Sequence, residues 1–388
     1  MALALGVSSF FMLPIVGDIK PFDLICLAFA LLKIRDGFTF RRSDTLYFVF
    51  IGCAVASLAS AKFLIEASAL QTARYLIFFL VARLAFDEQE HSALRRGLIW
   101  SVSANLIWIV IDLVQYYSVG ECTSINETVF PWVEQIVTHR YPLEIAGCLV
   151  LRPTGFTWDP GGLFPIMLVT TYALGAPRLV ALASIFSLVA VSRTAIITAV
   201  TIFVAKRSLV LGWGMVLLAL FVVPAAVLLN LNAFSLELED GTLRHLTYPG
   251  LAVVGVLDNL RYLVLGDGLR AGATMFITRD EYFIADFFTM DELVSGDARH
   301  LVVESIWVNL LTGAGVLGFS AYAIWMWWGL RRHAVAFLGL LIAGTYYTFD
   351  SSVYCFLVAY LMTAPSPRLR AQVGRRGPPI PDGLTATC

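Results

Sequence analysis

Residues 208–230 read SLVLGWGMVLLALFVVPAAVLLN, and the residues that follow directly, 231–244, read LNAFSLELEDGTLR. The first stretch is almost wholly apolar, whereas the second opens a polar segment that extends to Leu301. Unpaired polar groups are costly in hydrocarbon, so this segment cannot lie inside a membrane. We therefore interpret residues 231–301 as a large structured loop on the water side of an apolar body; a solvated spacer is the alternative.

The composition places the chain among membrane proteins. It has 388 residues, of which 59% are hydrophobic and 14% are charged, and its mean hydropathy is +0.78. A soluble chain carries roughly 25% charged residues. The net charge of -1 gives no basic field, so no nucleic-acid partner is expected. We predict an all-α polytopic membrane protein.

Apolar blocks separated by helix breakers repeat along the chain and predict about twelve transmembrane helices. The blocks are residues 2–16, 22–34, 45–61, 68–86, 97–117, 160–176, 178–192, 194–206, 208–230, 302–330, 333–349 and 352–363. We expect them to form one transmembrane domain over residues 1–363, which includes the loop 231–301 with helices of its own. Residues 364–388 would then form a disordered cytoplasmic tail.

Lysine and arginine residues predict the orientation. They lie in alternate connections between the blocks, at Lys33, Arg35, Arg41, Arg42, Arg95, Arg96, Arg178, Lys206, Arg207, Arg331 and Arg332, and in the tail. Cytoplasmic loops of membrane proteins are rich in Lys and Arg, so these connections are expected in the cytoplasm. The loops 118–152 and 231–301, and the turn before Arg193, are then expected outside.

A second group of arginines lies on the expected outer side, against this bias. Its members are Arg152, Arg193, Arg244, Arg261 and Arg270. Guanidinium groups bind phosphate oxygens in a forked geometry. Because the group comes from three separate segments, we predict a site for a phosphorylated lipid head group. For each single arginine, ion pairing with the acids of the same loops is the alternative.

Three stretches of this region occur in a characteristic order. Residues 152–161 read RPTGFTWDPG, residues 192–195 read SRTA, and Gly266-Asp-Gly268 precedes ESIWVNLLTGAGVLG at residues 304–318. This order resembles the O-antigen ligase and polymerase family of bacterial polysaccharide assembly. That family has an Arg-x-x-Gly-aromatic stretch with a following Asp-Pro, a Ser-Arg turn, a loop arginine before Gly-x-Gly, and a span ending in Gly-x-x-Gly. The resemblance covers about residues 150–320.

The resemblance implies glycosyl transfer at the periplasmic face of the bacterial inner membrane. Members of the family take glycans from an undecaprenyl-pyrophosphate carrier: polymerases join repeat units, and ligases pass a finished chain to a lipid acceptor. The expected donor is therefore an undecaprenyl-pyrophosphate-linked oligosaccharide. The expected partners are the surrounding lipid bilayer, a flippase and a chain-length regulator.

The resemblance also assigns roles to individual residues. Arg152, Arg193 and Arg244 fall at motif positions that bind the pyrophosphate and stabilise the leaving group. Arg270 belongs to the same outward group of arginines. Asp159 is expected to orient Arg152 or its own loop.

The pair of residues that opens the last motif departs from the family pattern. A His-Asn pair often stands there, whereas alignment on Gly315-x-x-Gly318 puts Glu304 and Ser305 in its place. His300 lies four residues earlier, on the same face as Glu304 if a helix runs through both. Either side chain could accept the proton of the attacking sugar hydroxyl, and Glu304 is preferred because it occupies the aligned position. The alternatives are a charge favoured by the helix dipole for Glu304 and a loop histidine without a role for His300.

Three functions remain open from the sequence. We expect a polymerase of oligosaccharide repeat units of an exopolysaccharide or O-antigen; an O-antigen ligase and a secondary transporter are the alternatives. Transporters show two related halves and helices broken at the membrane midplane, whereas this chain has one large outer segment late in its sequence. No P-loop, metal-site or dinucleotide signature occurs, so we expect neither a metal nor a cofactor.

Overall fold

A computed structural model shows a mostly helical chain. The structure describes residues 1–11, 19–59, 65–84, 86–119, 143–145, 148–150, 153, 155–156, 160–190, 192–222, 260–269, 305–345 and 351–363. The segment 231–301 is described only at residues 260–269, and the tail 364–388 lies outside the described residues. The predicted boundaries of the domain, the loop and the tail therefore stay predictions.

Within the described residues, a helix lies in each of the twelve apolar blocks, and a further helix lies at residues 260–265. The helices are α1 (Ala2–Ser8), α2 (Pro21–Lys33), α3 (Asp44–Leu58), α4 (Ile65–Arg83), α5 (Glu88–Val119), α6 (Pro160–Ala173), α7 (Pro177–Val189), α8 (Arg193–Arg207), α9 (Leu209–Leu217), α10 (Leu260–Leu265), α11 (Ile306–Leu330), α12 (Ala334–Thr345) and α13 (Ser351–Thr363).

Short irregular elements supplement the helices. Single 3-10 turns follow α2 at Ile34–Asp36 and α11 at Arg331–His333, and a π-helical turn follows α9 at Leu218–Val222. Strands β1 (Leu143–Ile145) and β2 (Cys148–Val150) pair antiparallel in the connection between α5 and α6. The sequence analysis missed this small hairpin, because three-residue strands leave no periodic pattern to detect.

Two helix boundaries follow from serine caps. Ser192 precedes α8 in an extended conformation, and its Oγ accepts a hydrogen bond from the backbone N–H of Ala195 (3.4 Å). Ser305 does the same for α11, where its Oγ accepts from Val308 N–H (3.4 Å). Each serine satisfies one of the N–H groups that the first turn of a helix leaves without a helical partner.

The block 302–330 was expected to form one continuous span. The structure corrects this expectation at two places: at the start of the block, and at Gly315 within it. The helix α11 begins at Ile306, after the Ser305 cap, and the backbone at Gly315 is not helical (φ 67°, ψ 176°). That conformation is open to glycine and strained for other residues. Hydropathy could not show the break, because a window average does not depend on backbone geometry.

Most basic residues of the described part of the chain lie at one end of the helical bundle, which we call the basic end. The Arg83 guanidinium at the end of α4 binds Asp44 at the start of α3, with Nε–Oδ2 at 2.8 Å and Nη2–Oδ1 at 2.5 Å. Trp325, near the end of α11, donates its indole N–H to Asp44 Oδ1 (3.0 Å). At the same end Lys33 pairs with Glu90 (2.5 Å), and Arg95 donates to the carbonyl of Leu174 after α6 (2.9 Å).

Helices α6, α8 and α11 run in the same direction, and α12 runs antiparallel to them. Gly339 of α12 packs against Val169 of α6 and Ile202 of α8, and Trp213 contacts Trp327 with ring centroids 5.6 Å apart. The starts of α6, α8 and α11 and the end of α12 therefore meet opposite the basic end. We call this opposite end the motif end, because the motifs of the sequence analysis lie there.

The bundle interior contains an ion pair within otherwise apolar packing. Arg74 of α4 donates from Nε (3.1 Å) and Nη2 (2.7 Å) to Asp23 Oδ2 at the start of α2, and Lys20 N–H donates to the same oxygen (3.2 Å). Both charged side chains are buried. Burial of an unpaired charge is strongly unfavourable, so this pairing is a condition for placing either residue there.

The outer surface of the described helices is rich in large apolar side chains. Val210 is 80% exposed, Leu32 67% and Ile107 61%, and further exposed apolar residues occur on most helices. Within the described part of the chain, two helical stretches, Glu88–Gln115 and Ile306–Thr345, are long and apolar enough to cross a membrane; by length and composition alone this is a weak indication. The bundle thus contains buried charged residues and has a surface rich in apolar side chains. Exposure of such a surface to water is unfavourable.

Candidate functional site

The structure brings together two motifs that are far apart in the sequence. The turn Gly266-Asp267-Gly268 follows α10 and lies against the break in α11. Asp267 N–H donates to the carbonyl of Thr312 (2.9 Å), and Gly268 N–H donates to the carbonyl of Gly313 (3.1 Å). We call residues 264–269 and 312–315, joined in this way, the glycine junction.

Close backbone contact explains why these positions are glycine. A Cβ on Gly266 would lie 2.5 Å from the carbonyl carbon and oxygen of Gly313, and a Cβ on Gly313 would lie 2.6 Å from the Cα of Leu269. Gly315 would meet the carbonyl of Val264. Gly266 also has a positive φ of 73°. The resemblance motif therefore has a structural reason in this chain: two backbones touch where any side chain would separate them.

A third motif stretch is held on α5 by a buried asparagine. The Oδ1 of Asn105 accepts a hydrogen bond from Phe156 N–H (2.9 Å), and its Nδ2 donates to the carbonyl of Ser101 one turn earlier (3.0 Å). Gly155 has φ 60°, and a Cβ there would lie 2.5 Å from Asn105 Oδ1. Asn105 thus fixes the middle of the stretch 152–159 at the side of α5.

Aromatic contacts and the end of α1 complete this contact region. The ring of Phe156 lies 4.8 Å from the ring of Trp108 and 5.5 Å from that of Phe11, between centroids. Phe10 N–H donates to Ser101 Oγ (3.2 Å). The chain leaving α1 and the motif stretch before α6 are therefore both attached to the same two turns of α5.

Among the predicted site residues, Arg193 is described with its side chain, and the backbone of Arg261 lies in α10. Arg193 is the first residue of α8, its side chain is exposed, and it lies at the motif end. Ser192 before it is buried, and its N–H donates to the carbonyl of Ser187 (3.0 Å), which closes the turn between α7 and α8. A cation at a helix N-terminus adds to the positive end of the helix dipole. The start of α8 therefore places a guanidinium group at the surface of the motif end.

The start of α11 is packed against the end of α12 at the same end of the bundle. Trp307 Nε1–H donates to the carbonyl of Leu341 (2.8 Å), and Ser305 Oγ donates to that of Gly344 (3.4 Å). Because α12 also packs on α8, the residue that opens α11 and Arg193 both lie at the motif end. The predicted base Glu304 is the neighbour of Ser305 in the sequence.

Six predicted site residues lie outside the described residues: Arg152, Asp159, Arg244, Arg270, His300 and Glu304. Their roles stay predictions. One related expectation is changed by the structure, because Ser305 is extended (φ -146°, ψ 122°) and α11 does not run back to Glu304. A face shared by His300 and Glu304 therefore cannot come from α11.

Sequence analysis missed Asn105 and the buried pair of Asp23 with Arg74. The signal was available, because polar residues inside apolar blocks are commonly functional or paired. Their partners could not be found from spacing, since Asn105 and Phe156 are 51 residues apart, as are Asp23 and Arg74. Among the described residues, no group of three His, Cys, Asp or Glu side chains is placed to bind a metal ion.

The glycine junction predicts the effect of a single added methyl group. Gly266→Ala should lower the free energy of unfolding by about 2 kcal/mol or more, because the Cβ meets backbone atoms that cannot turn away and φ is positive. Gly52→Ala is the matched control: Gly52 lies within α3 with no atom near its Cβ position, and alanine there should be neutral or stabilise by up to about 1 kcal/mol. Thermal unfolding of the purified variants measures both effects, and equal unfolding temperatures would contradict the junction.

A comparison of the chain with protein-family models, with curated proteins and with solved structures finds no match.

Proposed function

We propose that this chain is a polytopic membrane protein of about twelve spans that transfers glycans from an undecaprenyl-pyrophosphate carrier. Membrane embedding is supported by the surface and the interior together. Large apolar side chains such as Val210 and Ile107 are exposed, whereas Arg74 and Asp23 are buried as a pair. In a bilayer, the exposed apolar side chains contact lipid tails, whereas the paired charges are kept away from lipid inside the bundle.

The charge distribution supports an orientation in the bacterial inner membrane. Lys33, Arg83 and Arg95 lie at the basic end, and Arg193 lies at the motif end. The positive-inside rule puts the basic end in the cytoplasm. The motif end then faces the periplasm, where lipid-linked repeat units are assembled in the family that the sequence resembles.

The observation that carries the proposed reaction is the exposed Arg193 at the start of α8, at the same end of the bundle as the start of α11. An exposed guanidinium added to a helix N-terminus favours an anionic ligand. The glycine junction and the Asn105 contact lie on the motif segments that carry the other predicted cations in the sequence. A pyrophosphate group is the anion that fits several forked donors.

In the proposed reaction, Arg152, Arg193, Arg244 and Arg270 bind the pyrophosphate of the donor, and Asp159 orients Arg152. Glu304, or His300 in its place, takes the proton from the acceptor sugar hydroxyl. The hydroxyl oxygen forms a bond to the anomeric carbon of the donor sugar, and the bond from that carbon to the phosphate oxygen breaks. The electron pair leaves with the carrier pyrophosphate, whose added negative charge the fixed arginines stabilise. The step needs no metal.

The acceptor separates the two forms of this proposal. We favour a polymerase, in which the acceptor is a carrier-linked repeat unit of an exopolysaccharide or O-antigen. A flippase would supply the repeat units and a chain-length regulator would limit the product. In an O-antigen ligase the acceptor would be a lipid of the outer surface, and the same arginines would bind the donor.

A secondary transporter is the second candidate, and two structural observations favour it. The helix α11 is broken at Gly315, and Asp23 pairs with Arg74 within the bundle. Broken helices and buried ionisable residues are features of transporters. The break here is filled by the turn Gly266–Gly268, which makes it a packed joint between chain segments. A transporter would move its substrate without forming a new glycosidic bond.

The orientation predicts which residues a membrane-impermeant thiol reagent can reach. In a variant with Cys122, Cys148 and Cys388 changed to Ser, a cysteine introduced at Asp280 should react from the periplasm. A cysteine introduced at Val373 should react only after the membrane is opened, because the tail is expected inside. Labelling of both positions from one side would contradict the topology.

The arginines predict a selective loss of glycan extension in cells. Arg193→Ala, Arg152→Ala and Arg244→Ala should each reduce extended glycan by at least about 100-fold while the protein stays in the membrane, because removing one fixed donor that stabilises developing charge costs about 10²- to 10³-fold in other enzymes. Arg193→Lys should restore little, since lysine cannot bind phosphate with two parallel hydrogen bonds. Glycan chain length on gels of cell extracts is the measurement.

Arg42→Ala is the control for these variants, because Arg42 is an exposed arginine at the basic end and should keep full extension. Wild-type glycan in any two of the three alanine variants of the motif end would overturn the pyrophosphate site.

A further inference from the structure

We propose that Asn105 is a positioning residue for the donor site: it fixes the segment that carries Arg152 and Asp159. This inference rests on the proposed function and names a residue outside the group that binds the donor. Its basis is the pair of hydrogen bonds by which Asn105 joins Phe156 to Ser101, at 2.9 Å and 3.0 Å.

Burial makes this connection stiff. Asn105 is 1% exposed, so water does not replace either of its hydrogen-bond partners without a rearrangement. The side-chain amide of Asn105 uses its oxygen as an acceptor and its NH₂ group as a donor. If the acceptor is removed, the N–H of Phe156 loses its hydrogen bond, which is costly where water does not replace it. The peptide of Phe156 is therefore held at one height along α5.

The local shape leaves the segment no nearby alternative position. Gly155 is in the left-handed region, with φ 60°, and a Cβ added to it would lie 2.5 Å from Asn105 Oδ1 and 3.0 Å from Leu163 Cδ2. On the other side, the ring of Phe156 packs against Trp108. One hydrogen bond and two packing contacts thus fix the same dipeptide.

The sequence positions connect this fixed dipeptide to the proposed chemistry. Arg152 precedes Gly155 by three residues, and Asp159 follows Phe156 by three. Because three residues separate each of them from the dipeptide, we expect a displacement of the dipeptide to reach both Arg152 and Asp159. Displacements of about 1 Å at a donor-binding group can cost about 100-fold in rate.

The partner segment at α1 gives the contact a second anchor. Ser101, whose carbonyl accepts from Asn105, also accepts Phe10 N–H at its Oγ (3.2 Å). Loss of the Asn105 amide therefore disturbs the motif stretch first and the end of α1 second. The helix α5 itself keeps its own backbone hydrogen bonds, so the protein should still fold.

The test uses Asn105→Leu, which keeps the size of the side chain and removes both polar groups. Thr171→Val is the matched control, because Thr171 is equally buried and its hydroxyl donates only within its own helix, to Met167 (2.9 Å) and Leu168 (3.1 Å). In purified, reconstituted full-length protein with a carrier-linked repeat unit, Asn105→Leu should lower kcat/KM for the donor about 10- to 100-fold. Thr171→Val should lower it by less than about 3-fold.

A double-mutant cycle with Arg152→Ala separates positioning from general damage. If Asn105 acts through the segment of Arg152, Asn105→Leu should cost little more in the Arg152→Ala protein than Arg152→Ala costs alone. A full additional 10- to 100-fold loss would show that the two residues act independently and would overturn the inference.

A second readout does not depend on glycan transfer. A cysteine placed at Thr157, in the variant without Cys122, Cys148 and Cys388, should react with a maleimide about 10-fold faster when Asn105 is Leu, because the segment is no longer held. An unchanged labelling rate would overturn the positioning role whether or not the protein transfers glycan. If the wild type extends no glycan, the proposed function fails, and the labelling rate alone decides whether Asn105 fixes the segment.

Discussion

Backbone groups that leave a helix inside an apolar bundle must find new partners, and the glycine junction is where this constraint is strongest. The break at Gly315 interrupts α11, and the carbonyls of Thr312 and Gly313 accept from Asp267 and Gly268. Without that turn, the break would expose carbonyl groups to an apolar environment at a cost of several kcal/mol. Residues 260–269, the described part of the segment 231–301, are therefore joined to the helical body by these backbone hydrogen bonds.

The same constraint explains the buried side chains. Asp23 pairs with Arg74, and Asp44 binds Arg83 and Trp325, so each of these four buried charged residues has a partner from another helix. Asn105 Oδ1 accepts a hydrogen bond from Phe156 N–H, a backbone group that lies outside the helices. These contacts join α2 with α4, α3 with α4 and α11, and α5 with the motif stretch. The proposed site would depend on them, because its predicted cations come from separate segments.

The sequence predicted the helices well and their interruptions poorly. Each apolar block contains a helix. Removing the whole stretch from water is favourable, and a hydropathy average measures that tendency directly. The break at Gly315 depends on a turn 47 residues earlier, which no local pattern encodes. The Gly-x-Gly and Gly-x-x-Gly motifs lie in the two segments that form the glycine junction, but the resemblance did not predict that these segments are in contact. Arg193 was predicted to lie on the outer side of the membrane; the structure shows it exposed at the start of α8, and its side of the membrane stays a prediction.

The central claim is that the chain itself forms a glycosidic bond from a carrier-linked donor. Purified protein in liposomes, given only a carrier-linked repeat unit and no metal or nucleotide, tests this directly by the length of the glycan and the release of carrier pyrophosphate. We expect extension by the wild type and a loss of about 10²- to 10⁴-fold in Glu304→Gln, with donor binding kept, because that substitution removes the general base and preserves its shape. No new glycosidic bond from folded, donor-binding wild type, or uptake of the intact repeat unit into the liposomes, would contradict the account.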